Sequence, residues 1–315
     1  MNQGFKHSTH SPASAVEISR YFDNTDPQRV WQQAVDTIRL FHPDFDFMLV
    51  EKVFRDVQRM FYGEFPGYAP IRTLYHDLSH TLEVFMCGVR LMHGVHCSGI
   101  ALEEEEVRQM MLAILLHDIG YAQRLGEETG TGAQLTRTHV RRGVEFMEHY
   151  FGARHLPSDI MVDVKGMILG TEHFRPFGEI DFANERTRLL AQIVATADIV
   201  GQMADRKYVE KLAFLYFEFR EAEFGNYRNM FDLMCKTPDF YRITRDKLDG
   251  VLGGIYRHLE AHFEATLGEC RNHYMEAIER NIAYLERVVI RSGENDLIKS
   301  LRRYGIARSL AALSA

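Results

Sequence analysis

The sequence predicts an all-α fold, on three observations. The 315-residue chain has only eight prolines, none between Pro70 and Pro157 or after Pro238. Proline breaks helix interiors, so long proline-free stretches favour helices. Within those stretches apolar residues recur at three- and four-residue spacing, the helical period. No alternating valine, isoleucine and threonine segment bounded by Asn-Gly or Asp-Gly is present, so strand signals are nearly absent.

In chain order, residues 1–20 are small and polar without a period and are read as a disordered lead. His7 and His10 lie there, with nothing nearby to hold a metal geometry. Asp26-Pro27 is a cap and first-turn signal for a helix running to about Leu40. Glu103 to Glu106 open another helix, where four carboxylates suit the positive end of the dipole and read as a solvated first turn. That helix continues into Met110–Leu116, the longest purely apolar run and far too short to span a bilayer. Gly126–Gly132 superficially suggests a phosphate cradle. No Gly-Lys-Ser/Thr follows and no strand precedes it, so it is read as a flexible connector or lid. Ser158-Asp159 and Thr237-Pro238-Asp239 mark two more helix starts, with a second loop between Phe174 and Asn184. From about Lys207 the chain is helical, rich in aromatics and charge, and without a motif. It is read as scaffold, oligomer surface or substrate-pocket wall. The expected organisation is a lead (1–20), a histidine-bearing domain (21–206) and a C-terminal helical extension (207–315).

Hydrophobic residues make up 46% of the chain and charged residues 26%, which excludes a disordered or collagen-like chain. A net charge of −7, from 37 basic and 44 acidic residues, gives no electrostatic reason to expect a nucleic acid duplex or anionic lipid as partner. The four cysteines form no CxxC pair, so free thiols in a reducing cytoplasm are expected. The N-terminus lacks the basic-then-apolar order of a secretory signal. The reading is therefore cytoplasmic and without membrane contact.

Fifteen histidines are unevenly spread. Four stretches stand out: Tyr75-His76-Asp77-Leu78-Ser79-His80, Leu116-His117-Asp118-Ile119-Gly120, Thr138-His139-Val140, and Thr171-Glu172-His173. In a fifth, Ala195-Thr196-Ala197-Asp198-Ile199-Val200, one carboxylate sits inside an apolar run. A single helical histidine is more often a surface or hydrogen-bonded core residue, and that reading suits His139 or His173 taken alone. His117-Asp118 ends the most apolar stretch, and a buried carboxylate needs a partner, either a divalent metal or an arginine. Asp198 poses the same problem, with no arginine within one turn. His76 and His80, four apart, are expected to share one helical face, one binding metal and the other facing substrate. Together, His80, His117, Asp118, His139, His173 and Asp198 form six candidate ligands converging from different helices. Mixed nitrogen and oxygen donors suit two divalent transition metals per chain (Fe, Mn, Zn or Ni) rather than calcium.

The order His, His-Asp, His, His, Asp resembles the HD-domain superfamily of metal-dependent phosphohydrolases, over roughly Arg72 to Asp205. His80, His117-Asp118 and Asp198 match its core, and His139 and His173 match the extra ligands of binuclear members. YHDLSHTLEV is similar to the YHNxxHxxDV signature of cyclic-nucleotide phosphodiesterases, with Asp77 in place of asparagine and without that family's next histidine. HDIG and TRTHVRRGVEFM look like the HD-GYP cyclic-di-GMP phosphodiesterases, but Tyr121 stands where they have lysine and their HHExxDGxGYP signature is absent. The resemblance implies an HD-type helical bundle with added C-terminal helices, acting on a cyclic nucleotide or related phosphoester. It implies that Asp118 bridges two metals and takes part in catalysis, that His80, His117 and Asp198 complete the first site, and that His139 and His173 build the second. Metals would lower the pKa of a bridging water, and His76 would protonate the departing alkoxide. Arg72, Arg141, Arg175 and Lys207 are candidate phosphate contacts. Glu172 is a candidate to orient a ligand histidine. Phe146, Phe174 and Phe177 are read as core residues that could also stack a base. The main rival is an HD-type di-iron oxygenase carrying the same six ligands and acting on a small polar substrate. A degenerate nucleotide sensor and a helical interaction protein, for instance a homodimer, are further alternatives.

Overall fold

Asp26 opens the first helix, α1 (Pro27–Arg39), by accepting the Gln28 backbone N–H, with Pro27 at the first helical position. The computed structural model describes residues 24, 26–153 and 158–301; the expected lead, with His7 and His10, lies outside them. Among the described residues there are twelve α-helices and no strand, so the fold is an all-α bundle. After α1 come α2 (Met48–Tyr62), α3 (Leu78–Cys97), α4 (Glu104–Leu116), α5 (His139–Gly152), α6 (Ser158–Leu169) and α7 (Glu185–Ala204). Then follow α8 (Tyr208–Glu221), α9 (Met230–Asp249), α10 (Leu259–Leu267), α11 (His273–Tyr284) and α12 (Leu297–Ser300).

Helix α3 is central. Every residue from His80 to Val95 is buried, and the helix packs against α1, α4, α7 and α10. A helix enclosed on all sides must pair its polar members. Arg90 donates to the Tyr274 hydroxyl at 2.7 Å, and Glu83 accepts from Asn24 Nδ2 at 2.6 Å. α3 and α7 cross closely because Gly201 carries no side chain; a Cβ there would lie 3.0 Å from the Val84 Cα.

Helix α4 starts as expected. Glu103 caps it, and Glu106 returns to accept the Glu103 N–H at 2.8 Å, a capping box. Its acidic turn is more than solvated, because Arg186 of α7 pairs with Glu106 at 2.6 Å. The expected start at Thr237-Pro238-Asp239 is corrected. Pro238 lies inside α9, which begins at Met230 under an Asn229 cap accepting the Asp232 N–H at 2.9 Å. The cap outweighs the proline as a start signal, and packing of the buried Leu233 and Met234 carries the helix through the missing N–H. The Gly126–Gly132 loop is tied down rather than free. Both the N–H and the hydroxyl of Thr131 bond to Glu221 of α8, each at 2.8 Å. The four cysteines are free thiols. Among the described residues no helix is long and apolar enough to cross a membrane.

Candidate metal centre

Asp77 sets the start of α3. Its carboxylate accepts the His80 N–H at 2.9 Å and the Ser79 hydroxyl at 2.7 Å. The expected shared helical face for His76 and His80 is therefore corrected: His76 precedes the helix, and the turn before it brings the two rings to 5.4 Å. The apolar run of α4 is fully buried and carries His117 and Asp118 into the interior where that helix stops. α5 then begins against the turn that follows. Gly120 permits this approach, since a Cβ there would fall 1.8 Å from the His139 carbonyl oxygen. Arg142 fastens the junction by donating to the Gly120 and Ala122 carbonyls at 2.9 and 2.7 Å. His139 is thereby set beside Asp118, and Asp198 faces them from the middle of α7.

Five of the six expected ligands are buried or nearly so. His80, His117 and Asp118 offer donor atoms all within 4.8 Å of one another. The Asp118 Oδ2 lies 3.1 Å from His80 Nε2 and 3.2 Å from His117 Nε2. Those two nitrogens are 3.4 Å apart, and each is 3.6 Å from Asp198 Oδ1. His139 Nε2 faces the other oxygen of Asp118, Oδ1, at 3.4 Å. His173 Nε2 stands 3.9 Å from Asp198 Oδ2 and is the outlier, with 45% of its side chain exposed. The inner group thus shares Asp118 Oδ2 and Asp198 Oδ1, while His139 and His173 address the opposite oxygens of the same carboxylates.

The donor set fits a metal on grounds internal to the structure. His117 and His139 each donate Nδ1–H to a backbone carbonyl, of Ile114 and Thr136 respectively, at 2.7 Å. Each Nε2 therefore faces a carboxylate oxygen, and either a metal ion between the two or a proton on the imidazole completes the pair. Asp118 Oδ2 is buried and takes no hydrogen bond. The separations within His80, His117 and Asp118, 3.1 to 3.4 Å, match the edge of about 3.3 Å in a tetrahedron with bonds of about 2.0–2.1 Å, and Asp198 stands 3.6 Å from both histidine nitrogens. The charges agree. Burial pushes the His117 imidazole down, but Asp118 and Asp198 outweigh it and raise it well above its usual range. Burial pushes Asp198 up, but His117, His80 and His173 hold it at about 2.

Around this cluster the structure adds residues that sequence reading missed. Glu218 of α8, almost wholly buried, accepts the Tyr75 N–H and the His76 Nδ1–H, each at 2.6 Å. Burial alone would lower His76, but Glu218 outweighs it and raises His76 to about 9. Tyr121 stands between His76 and His139, stacked on both at 4.9 and 4.5 Å. Glu218 left a faint trace as one carboxylate within Phe217-Glu218-Phe219; Lys247 left none.

The cluster forms the floor of a cavity of about 380 Å³, walled by α7, α8 and α9. The cavity's lysine is Lys247 of α9. The candidate phosphate contacts Arg72, Arg141, Arg175 and Lys207 do not line it, in keeping with their reading as ordinary surface charges. Glu172 accepts the Phe174 N–H at 3.3 Å rather than a histidine proton. Of the three phenylalanines, Phe177 is core, Phe146 packs on Phe65 and Tyr150, and Phe174 lines the cavity. The expected boundary after residue 206 runs through the cavity wall, because α8 and α9 belong to the site.

Fold and site together define an all-α protein with a buried histidine and aspartate centre beneath a largely apolar cavity. The chain belongs to the Npun_R2479-like family, whose model matches residues 65–130 and 125–247, more than half of the sequence. The match spans all six candidate ligands together with His76, Glu218 and Lys247. No curated protein matches the chain significantly.

Proposed function

We propose that the protein is a metal-dependent phosphoester hydrolase of HD type. The observation that carries this reading is the trio His80, His117 and Asp118, whose donor atoms all lie within 4.8 Å of one another, with Asp198 3.6 Å from both histidine nitrogens. These residues would hold one divalent ion, and His139 and His173, with the outer oxygens of Asp118 and Asp198, would hold a second. Bound ions supply Lewis-acid charge and lower the pKa of a coordinated water. In the overall reaction water adds to phosphorus, one P–O ester bond breaks, and the alcohol leaves with a proton. His76, held by Glu218, is placed beside the cluster to give that proton. Lys247 offers the anion a positive charge from the wall.

A second reading, a di-iron oxygenase, is favoured by the cavity's largely hydrocarbon lining. One experiment separates the two. Protein purified without added metal or chelator is assayed for metal content, and then for hydrolysis of bis(p-nitrophenyl) phosphate without oxygen in the presence of manganese or zinc. About two ions per chain and anaerobic turnover are expected, both lost in Asp118→Ala. Oxygen consumption dependent on iron, without phosphoester turnover, would replace the first reading by the second. Absence of metal after reconstitution would remove both.

A further inference from the structure

The cavity above the cluster changes character along its length. At the floor it is ionic. Its walls are apolar: α8 presents Leu212, Leu215 and Phe219, and α9 presents Phe240 and Ile243. The spacings 212, 215, 219 and 240, 243, 247 are helical, so each set forms one stripe, and the α9 stripe ends in Lys247. At the mouth, apolar residues stand in solvent: Phe240 is 54% exposed, Ile243 68% and Phe174 42%. Single exposed apolar side chains are ordinary, but three around one apolar opening mark a surface that a ligand covers.

The polar groups of the cavity are largely committed elsewhere. The hydroxyls of Thr136, Thr171 and Thr237 donate to the carbonyls of Ala133, Ile168 and Leu233, and the Gln202 carbonyl accepts from the Tyr75 hydroxyl. The Gln202 amide nitrogen and the Tyr208 and Thr244 hydroxyls remain, a small polar complement beside the hydrocarbon of the walls for a purine or pyrimidine edge, which needs several convergent donors and acceptors. Phe224 meets Phe174 and Phe219 edge to face, so that trio is packed on itself. Lys247 makes no ion pair among the described residues. Burial lowers its pKa and the Asp198 carboxylate counteracts the shift.

We propose that the substrate is an anionic amphiphile. Its phosphate head lies between the histidine and aspartate cluster and Lys247, and its aliphatic chain lies between α8 and α9 with its far end at Phe240 and Ile243. The head-group assignment rests on the hydrolase reading; the tail assignment rests on the cavity walls alone.

The test uses alkylphosphonates, which keep the charged head and resist hydrolysis, titrated by calorimetry into the full-length metal-loaded protein. From propyl to octyl, affinity is expected to rise about fourfold per methylene, and adenosine monophosphate is expected to bind no tighter than methylphosphonate. Leu215→Asn should cut the octyl-to-propyl affinity ratio at least tenfold, whereas Lys247→Met should weaken every phosphonate and keep the ratio. A flat series in the native protein, or adenosine monophosphate binding tighter than octylphosphonate, would overturn the proposal whatever the variants do. Anaerobic turnover of the matching alkyl phosphates is scored separately. A steep series without turnover upholds the tail site and removes the hydrolase, and turnover with a flat series does the reverse.

Discussion

Glu218 shows how one side chain joins two parts of the sequence. Its Oε1 accepts the backbone N–H groups of Tyr75 and His76, and its Oε2 pairs with the His76 ring. A glutamine keeps a carbonyl for the backbone donors but removes the charge opposite His76. On the proposed hydrolase reading, Glu218→Gln is expected to fold and retain its metal while kcat loses part of the roughly 10²–10⁴-fold that general acid catalysis supplies. Loss of metal along with turnover would show that Glu218 supports the ligands rather than His76. Asp77 makes the complementary point. In the sequence it is a departure from a phosphodiesterase signature, and in the structure it is the cap that starts α3 and orients His80. An asparagine oxygen can cap in the same way.

The element whose burial matters most is α3, and its cost is visible in Glu83. Burial and the nearby Asp205 raise the Glu83 carboxyl to about 8, against the pull of Asn24, Lys211 and Arg90. The folded state therefore holds this proton more tightly than the unfolded chain, whose carboxyl titrates near 4.5. Its contribution to stability is full below pH 4.5 and is lost as pH rises through about 8. Glu83→Gln cannot ionise and can still accept from Asn24. Its melting temperature relative to the native chain is expected to rise from pH 5 to pH 8.5. A constant difference across that range would show that Glu83 is already ionised when folded. The helix starts at Asp26 and Glu103 were legible because capping is local chemistry between residues two or three apart. Pro238 is also a local signal, but the Asn229 cap and tertiary contacts outweigh it, so α9 starts at Met230.

At the scale of the molecule, the C-terminal helices are part of the central core. The buried Tyr274 of α11 accepts from Arg90 of α3, and the Gly94 position would clash with the His258 carbonyl if it bore a Cβ. A chain ending at residue 206 uncovers these faces of α3 and lacks Glu218 and Lys247. It is expected to lose cooperative thermal unfolding and near-ultraviolet circular dichroism, and a sharp two-state transition in that fragment would show an independent N-terminal domain. Proline spacing and helical period are enough to read the all-α class, and residue type and order single out the histidines and aspartates that the fold gathers. These are signals written in residue type and short-range spacing. Three features come from packing between distant helices: His173 stands apart from the inner ligands, His76 leans on Glu218, and a largely apolar cavity with one lysine lies over the centre. The physical reason is separation along the chain. Residues from α3, α4, α7, α8 and α9 meet at one point through helix crossings such as those at Gly120 and Gly201, and no local pattern records which helices cross or how closely.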